Sequence, residues 1–364
     1  MSTLLQIVPN VPGGIDGVGD YALTIAKKLR EELGCGTVFA TFTTSSAENA
    51  SGFEILSLDR LLSESQKYNQ VLLHYVNYGF QKRGLPFRLL SILRELREQH
   101  RGRSVTIFHE LYASGPPWTS AFWLKPLQKR LAKSVGRLSD GCIVSSINFL
   151  SELKRMIPDA HVELHPVPSG LGEPSLSPSQ IADRGPHRWA IFGGTALVER
   201  SLQSLRSLMH RIPDSVAPRS LFVLGGDENP VARSLLVDLG IKSDYRPRIA
   251  AADASEILKS CSFGWLNYFH SPDVETSVIL KSSAFASACA HGVIPIFPHC
   301  GSPISIDNDR MPGPFFVGSD RCEIPDAQDR PKVAADIYSW YQRHASSESL
   351  VQGVVKMLGL AAVR

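Results

Sequence analysis

A chain of 364 residues is long for a single core and suits two domains. With 43% hydrophobic and 20% charged residues it has an ordinary globular composition, which excludes a disordered or fibrous chain. A formal net charge of +3 is too small to indicate a nucleic-acid partner, and no apolar run reaches the roughly 18 residues of a membrane span.

The six cysteines (Cys35, Cys142, Cys261, Cys289, Cys300, Cys322) show no metal-type spacing, and most sit in apolar runs. They read as reduced core thiols. Met1–Pro9 lacks the charged start and long apolar run of a signal peptide, so a cytoplasmic protein is expected.

In chain order, Leu4–Pro9 predicts a first strand, then a glycine-rich turn (Gly13, Gly14, Gly17, Gly19), then a helix over about 21–33. Such a turn lets backbone approach a ligand, but it is neither the dinucleotide fingerprint nor a Walker loop. Thr37–Phe42 reads as a strand, 43–52 as a polar loop and Val71–Tyr75 as a strand. A helix over 86–99 and a strand over 104–108 follow, the strand ending in His109-Glu110. The helix over 120–138 mixes Phe122 and Trp123 with Lys125, Lys129, Arg130, Lys133 and Arg137. It is either a solvated amphipathic face or a membrane-surface patch. A strand over 141–145 and a short helix over 148–156 close the first half. Alternating strand and helix argues a parallel sheet wrapped by helices.

Residues 166–186 are dense in proline, serine and glycine and read as a linker between domains 1–165 and 187–330. The alternation then restarts. A strand over 189–192 ends in Gly193-Gly194, and another over 221–224 ends in Gly225-Gly226. Phe263–Phe269 predicts a strand, His270–Ser277 a polar loop, Val278–Ala290 a helix and Val293–Pro298 a strand, which together make a βαβ unit. Its loop and first turn carry Glu275, Thr276, Ser277, Lys281, Ser282 and Ser283. A helix start with lysine and hydroxyls suits a phosphate, although a capped helix with a solvated lysine fits the same residues. His291 reads as structural, at a helix end that favours a cation; His74, also at a strand end, is undecided. The tail 331–364 is expected to be helical and to pack back towards the first domain.

Five polar or glycine-rich sites fall at strand carboxyl ends, where open α/β sheets bind ligands: Gly13-Gly14, His109-Glu110, Gly193-Gly194, Gly225-Gly226 and the 275–283 loop. Their order and spacing resemble a GT-B glycosyltransferase of the large retaining group that includes sucrose synthases and bacterial mannosyltransferases. The resemblance rests on Pro12–Ala22, on Phe108-His109-Glu110, on Leu138–Ser146 and on His291–Ile296, and it covers nearly the whole chain.

It implies an α/β protein of two doubly wound Rossmann-like domains facing a central cleft. It implies a nucleotide-diphosphate sugar donor, UDP- or GDP-linked, bound mainly by the second domain with no metal or other cofactor. The partner would be a carbohydrate or lipid-linked acceptor. Lys281, Arg200 and the amides near Ser282 and Ser283 would stabilise the leaving diphosphate, with Gly13 and Gly14 amides approaching from the first domain. His109 would contact the sugar and Glu110 would orient His109. Gly194, Gly226, Glu275, Thr276 and Ser277 complete the expected donor site. The chain departs from the group at two places. Where relatives carry paired glutamates it has Ile279 and Ser287, and where they carry Gly-Arg it has Gly193-Gly194, with Arg200 as the later cation. A nucleotide-sugar epimerase, or a non-catalytic protein binding a nucleotide sugar or partner, remains as the alternative.

Overall fold

The computed structural model describes residues 3–12, 17–42, 49–50, 52–64, 68, 70–99, 102–271 and 273–360. The chain divides into two compact units, Met1–His165 with Ser347–Arg364, and Pro166–Ser346.

The first unit runs β1 (Thr3–Ile7), α1 (Gly17–Leu33), β2 (Gly36–Thr41), β3 (Asn49–Ala50), β4 (Phe53–Ser57), α2 (Leu58–Glu64), β5 (Gln70–Tyr75), α3 (Asn77–Phe80), α4 (Phe87–Gln99), β6 (Ser104–Phe108), α5 (Ser120–Leu138), β7 (Gly141–Val144), α6 (Ile147–Met156) and β8 (Val162–Leu164). The sheet order is β3-β4-β2-β1-β5-β6-β7-β8, parallel except for β3 against β4. Both faces are covered, so the central strands are mostly apolar, and the polar residues within them, Gln6, His74 and Thr106, are buried. Leu5, Ile7, Leu73, Tyr75 and Phe108 pack to one face. Leu4, Leu72, Val105 and Ile107 pack to the other, under Tyr21, Ile25 and Leu29 of α1. The C-terminal helix, Ser347–Leu358, joins that second face through Leu350, Val351, Val354, Met357 and Leu358, whose spacing makes one apolar stripe. The expected tail 331–364 therefore divides, because its first helix belongs to the other unit. Asn49–Ala50 pairs with Phe53–Ser57 at one edge and Val162–Leu164 forms the other, and the short, partly exposed strands Phe53–Ser57 and Val162–Leu164 carry little apolar signal in sequence.

Between α5 and α6, Glu152 meets Lys129 at 2.8 Å and Arg155 at 2.6 Å. Burial opposes its ionisation, but hydrogen bonds from Lys129, Arg155 and Tyr112 outweigh that and hold the carboxyl at about 2. Because the folded value lies below the ordinary one, this contribution is complete above about 4.5 and is lost as pH falls towards 2. Glu152→Gln is expected to cost about 1 kcal/mol at pH 7. Urea denaturation of both proteins should show the gap closing between pH 4.5 and 2, and a constant gap would refute the assignment.

The second unit runs α7 (Pro178–Ala182), β9 (Arg188–Phe192), α8 (Thr195–Leu208), β10 (Ser220–Leu224), α9 (Pro230–Leu239), β11 (Lys242–Arg246), α10 (Ala251–Leu258), β12 (Phe263–Trp265), α11 (Ser283–Ala290), β13 (Ile294–Phe297), β14 (Ser305–Ile306), β15 (Asp309–Arg310), β16 (Phe315–Phe316) and α12 (Arg330–His344). Its main sheet is β11-β10-β9-β12-β13-β16, all parallel. Trp189 and Trp265 fill the core, and their indole N–H groups donate to Val216 O at 2.8 Å and Ser204 Oγ at 3.0 Å. Residues 166–186 are part of this unit, not a free connection. Val167 N donates to Leu280 O (2.9 Å), Ser169 N to Tyr341 Oη (2.8 Å), and Tyr338 Oη to Pro174 O (3.0 Å). Proline and serine there make a hydrogen-bonded strap, and Ser177 and Gln180 cap α7 reciprocally.

Candidate functional site

In the second unit the carboxyl ends of β9 and β10 and the start of α11 enclose a pocket of about 220 Å³. Phe192, Leu171, Leu224 and Ile249 make its apolar wall, and Gly193 and Gly225 bring backbone to it. Ser283, Ala284 and Ser287 of α11 close another side. The volume is below the roughly 300–1,000 Å³ of a drug-sized ligand site. Among the described residues the pocket wall contains no charged side chain, and its polar groups are backbone and serine hydroxyls. Ser287 Oγ lies 3.0 Å from Ser169 Oγ.

The sequence placed donor-site glycines at Gly194 and Gly226. The structure lines the pocket with the preceding residue of each pair. Gly194 is the N-cap of α8, and Gly226 packs against the Thr195 backbone. The single helix expected over 278–290 is also corrected. Thr276–Lys281 forms a 3-10 helix, the chain turns at Ser282, and α11 begins at Ser283. Two tertiary contacts explain the break. Val167 N donates to Leu280 O, and Ser302 N to Thr276 Oγ1 at 2.8 Å. Buried Ser282 is a cap, accepting from Phe285 N at 3.2 Å. The amides of Ser283 and Ala284 begin the helix and lack intrahelical acceptors. Glu275 is exposed, Ser277 and Lys281 are half-buried, and none of the three lines the pocket.

Arg200 is half-buried on α8, and its Nη2 donates to Asn267 O at 3.4 Å. Asn267 returns a bond from Nδ2 to Arg200 O at 3.2 Å, so the guanidinium sits at the exit of β12. Its Nε is buried without a partner among the described residues. His291 caps α11 but is not the cation expected of a helix end. Burial lowers its pKa, with Nδ1 facing Ser287 O at 2.7 Å and Nε2 facing Ser255 Oγ at 2.7 Å.

In the first unit His109 follows β6, with its N–H on Tyr75 O at 3.1 Å. Its Nε2 lies 3.3 Å from Nδ1 of His74, and His74 Nε2 lies 2.9 Å from Oε1 of Gln6. Tyr21 of α1 sets its ring edge-on to both imidazoles, at 5.9 Å and 4.9 Å. His74, undecided from sequence, is fully buried and so lines no surface. Glu110 is exposed. Gly13 and Gly14 lie outside the described residues. Among the described residues no three His, Cys, Asp or Glu side chains gather as metal ligands would.

No family model and no curated protein matches the sequence significantly. The fold, however, is similar along the whole chain to solved structures. One is an alpha-glucosyltransferase in complex with UDP-glucose and DNA containing an abasic site (13% identity, 99% of each chain, TM-score 0.55). Another is WaaG, a glycosyltransferase involved in lipopolysaccharide biosynthesis (12% identity, 98% of this chain and 100% of that one, TM-score 0.56). A third is MurG of Acinetobacter baumannii (12% identity, 99% of this chain and 100% of that one, TM-score 0.54). The chain has the GT-B fold. Within this GT-B chain the two positions where the resembled group carries glutamate separate. Ile279 is fully buried, whereas Ser287 forms part of the pocket wall.

Proposed function

We propose that the protein is a glycosyltransferase. It takes a sugar from a UDP- or GDP-linked donor to a hydroxyl of a carbohydrate or lipid-linked acceptor, as in polysaccharide or glycolipid assembly. The observation that carries this reading is the α11 pocket of a GT-B fold, with Ser287 at a position the resemblance assigns to donor recognition. The apolar wall suits a flat base. Ser283 and Ser287 hydroxyls suit ribose, in place of the group's carboxylate. As the bond from the anomeric carbon to the β-phosphate oxygen breaks, charge grows on the diphosphate. We assign its neutralisation to Arg200, Lys281 and the first amides of α11, without a divalent metal. His109 is assigned to the transferred sugar, and the anomeric configuration is retained as in the group it resembles.

The test is a thermal-shift titration with UDP, GDP, ADP and CMP. A ligand at 100 times its Kd adds about 2.7 kcal/mol to stability. One diphosphate is expected to raise Tm, and Ala284→Phe, which fills the pocket from a half-exposed helix position, should abolish that rise while keeping its own Tm. Lys281→Ala should weaken the diphosphate and not the nucleoside. No shift with any nucleotide would overturn the reading.

An acceptor at a membrane surface is favoured by the start of α5. Trp118 is 85% exposed, Trp123 71% and Phe122 42%, and Arg130 and Arg137 further along α5 are exposed as well. Among the described residues no helix is long and apolar enough to cross a membrane. Aromatics over a basic helix suit insertion at an anionic lipid headgroup layer. Sedimentation with phosphatidylglycerol vesicles should be salt-sensitive and at least tenfold weaker in a Trp118→Ala, Trp123→Ala double variant. Equal binding by that variant would refute the contact.

A further inference from the structure

We propose that Gln6 and His74 form, with His109, a directed hydrogen-bond relay that fixes which ring nitrogen of His109 carries the proton, making His74 a positioning residue. The relay rests on the transferase reading only for its use; its direction follows from the first unit alone.

Strand register builds it. Gln6 of β1 stands two residues past Leu4 and pairs with Leu72 of β5. His74 follows Leu72 by two and pairs with Ile107 of β6, and His109 follows Ile107 by two. Alternation along strands therefore puts all three side chains on the face that α1 covers, in one row across three adjacent strands. The two imidazoles are nearly parallel, at 17°.

The direction follows from donor and acceptor chemistry. An amide oxygen only accepts, so Gln6 Oε1 requires the proton of His74 on Nε2. A neutral His74 then carries its lone pair on Nδ1, and His109 must donate from Nε2. On neutral His109 the remaining lone pair is on Nδ1. If His109 gains a proton, Nε2–H still donates and the relay is unchanged. Among the described residues the titratable groups that meet His74 are Tyr21 from α1 and His109 beyond β6, neither of them a carboxylate. Burial first, and then the charge of His109, keep His74 well below its ordinary pKa.

Stability alone does not explain the row. Gln6 and His74 are both fully buried among leucines, and Gln6 Nε2 has no partner among the described residues. A buried unpaired amide costs free energy that an apolar side chain would avoid.

The first test needs no substrate. Long-range ¹H–¹⁵N spectra of ¹⁵N-histidine-labelled protein, assigned with His74→Phe and His109→Gln, should show both rings protonated on Nε2. His74 should remain neutral from pH 5.5 to 8. A His109 proton on Nδ1, or a His74 that titrates in this range, would overturn the relay. Gln6→Met keeps the shape and removes the acceptor. It should mix the tautomers of His109 and lower kcat for transfer about tenfold with donor KM unchanged. Wild-type tautomers and kcat in Gln6→Met would equally overturn it. Ordered tautomers in a wild type that transfers to no acceptor would leave the relay standing and sink the transferase reading instead.

Discussion

Gly225→Ala is expected to abolish nucleotide binding and to lower Tm by several degrees. Gly225 has φ +88°, and a Cβ there would lie 2.8 Å from Gly193 O. That contact is with backbone, so no rotamer relieves it. The two loops are also tied from both sides, by Gly225 N on Arg246 O (3.0 Å) and Gly193 N on Leu224 O (3.2 Å). Relief must move Gly193 or Gly225, and both line the pocket. The left-handed backbone alone costs an L-residue roughly 1–2 kcal/mol, before the clash. Gly240→Ala is the control. It has φ +63° at the end of α9, with nothing within 4 Å of a Cβ. It should show the backbone cost and bind nucleotide as the wild type does. Titrating both variants with the diphosphate that shifts the wild type decides the matter. Retained binding in Gly225→Ala would show that these loops do not shape the ligand site.

Arg184→Met is expected to lower the unfolding free energy by about 3–5 kcal/mol. Arg184 is 6% exposed, and its Nη1 donates to three carbonyls, Cys261 O (3.2 Å), His291 O (2.8 Å) and Gly292 O (3.0 Å). These are the chain exits of α10 and α11, where carbonyl ends carry partial negative charge and lack intrahelical donors. Among the described residues Arg184 bonds to carbonyl oxygens and to no carboxylate, so the helix ends are what hold it. Burial lowers its pKa to about 10, still well above neutrality, so it is charged while doing this. Methionine fills similar space and leaves three buried acceptors unmet, each worth about 1–3 kcal/mol. Arg184→Lys should lie between, since one ammonium cannot reproduce the fork. Guanidinium denaturation measures the difference. A loss under 1 kcal/mol in the methionine variant would mean that water or a relaxed backbone satisfies these carbonyls.

What local pattern can carry was legible in the chain. Val71–Tyr75 and Ser104–Phe108 are largely apolar because both faces of a parallel sheet are covered, so strands and their carboxyl ends could be marked. That marking put His109 at the end of β6 and the glycine pairs at the ends of β9 and β10. It could not say which glycine of each pair lines the pocket, since that depends on how Gly193 and Gly225 approach each other across 32 residues. Nor could it show the break at Ser282, because the 3-10 turn before it is held by Val167 and Ser302 from distant parts of the chain. Periodicity alone reads 278–290 as one helix, whereas the pocket is lined by Ser283, Ala284 and Ser287 of the separate helix that begins after the break.

The Gln6, His74 and His109 row shows the same division. The sequence by itself determined that His74 and His109 lie at strand carboxyl ends and that Gln6 lies within the first strand. Only the tertiary structure decided that they bond, because partners 68 and 35 residues apart are set by strand order and register. Near-neighbour periodicity records which way a side chain faces. It holds no record of which strand will lie beside it.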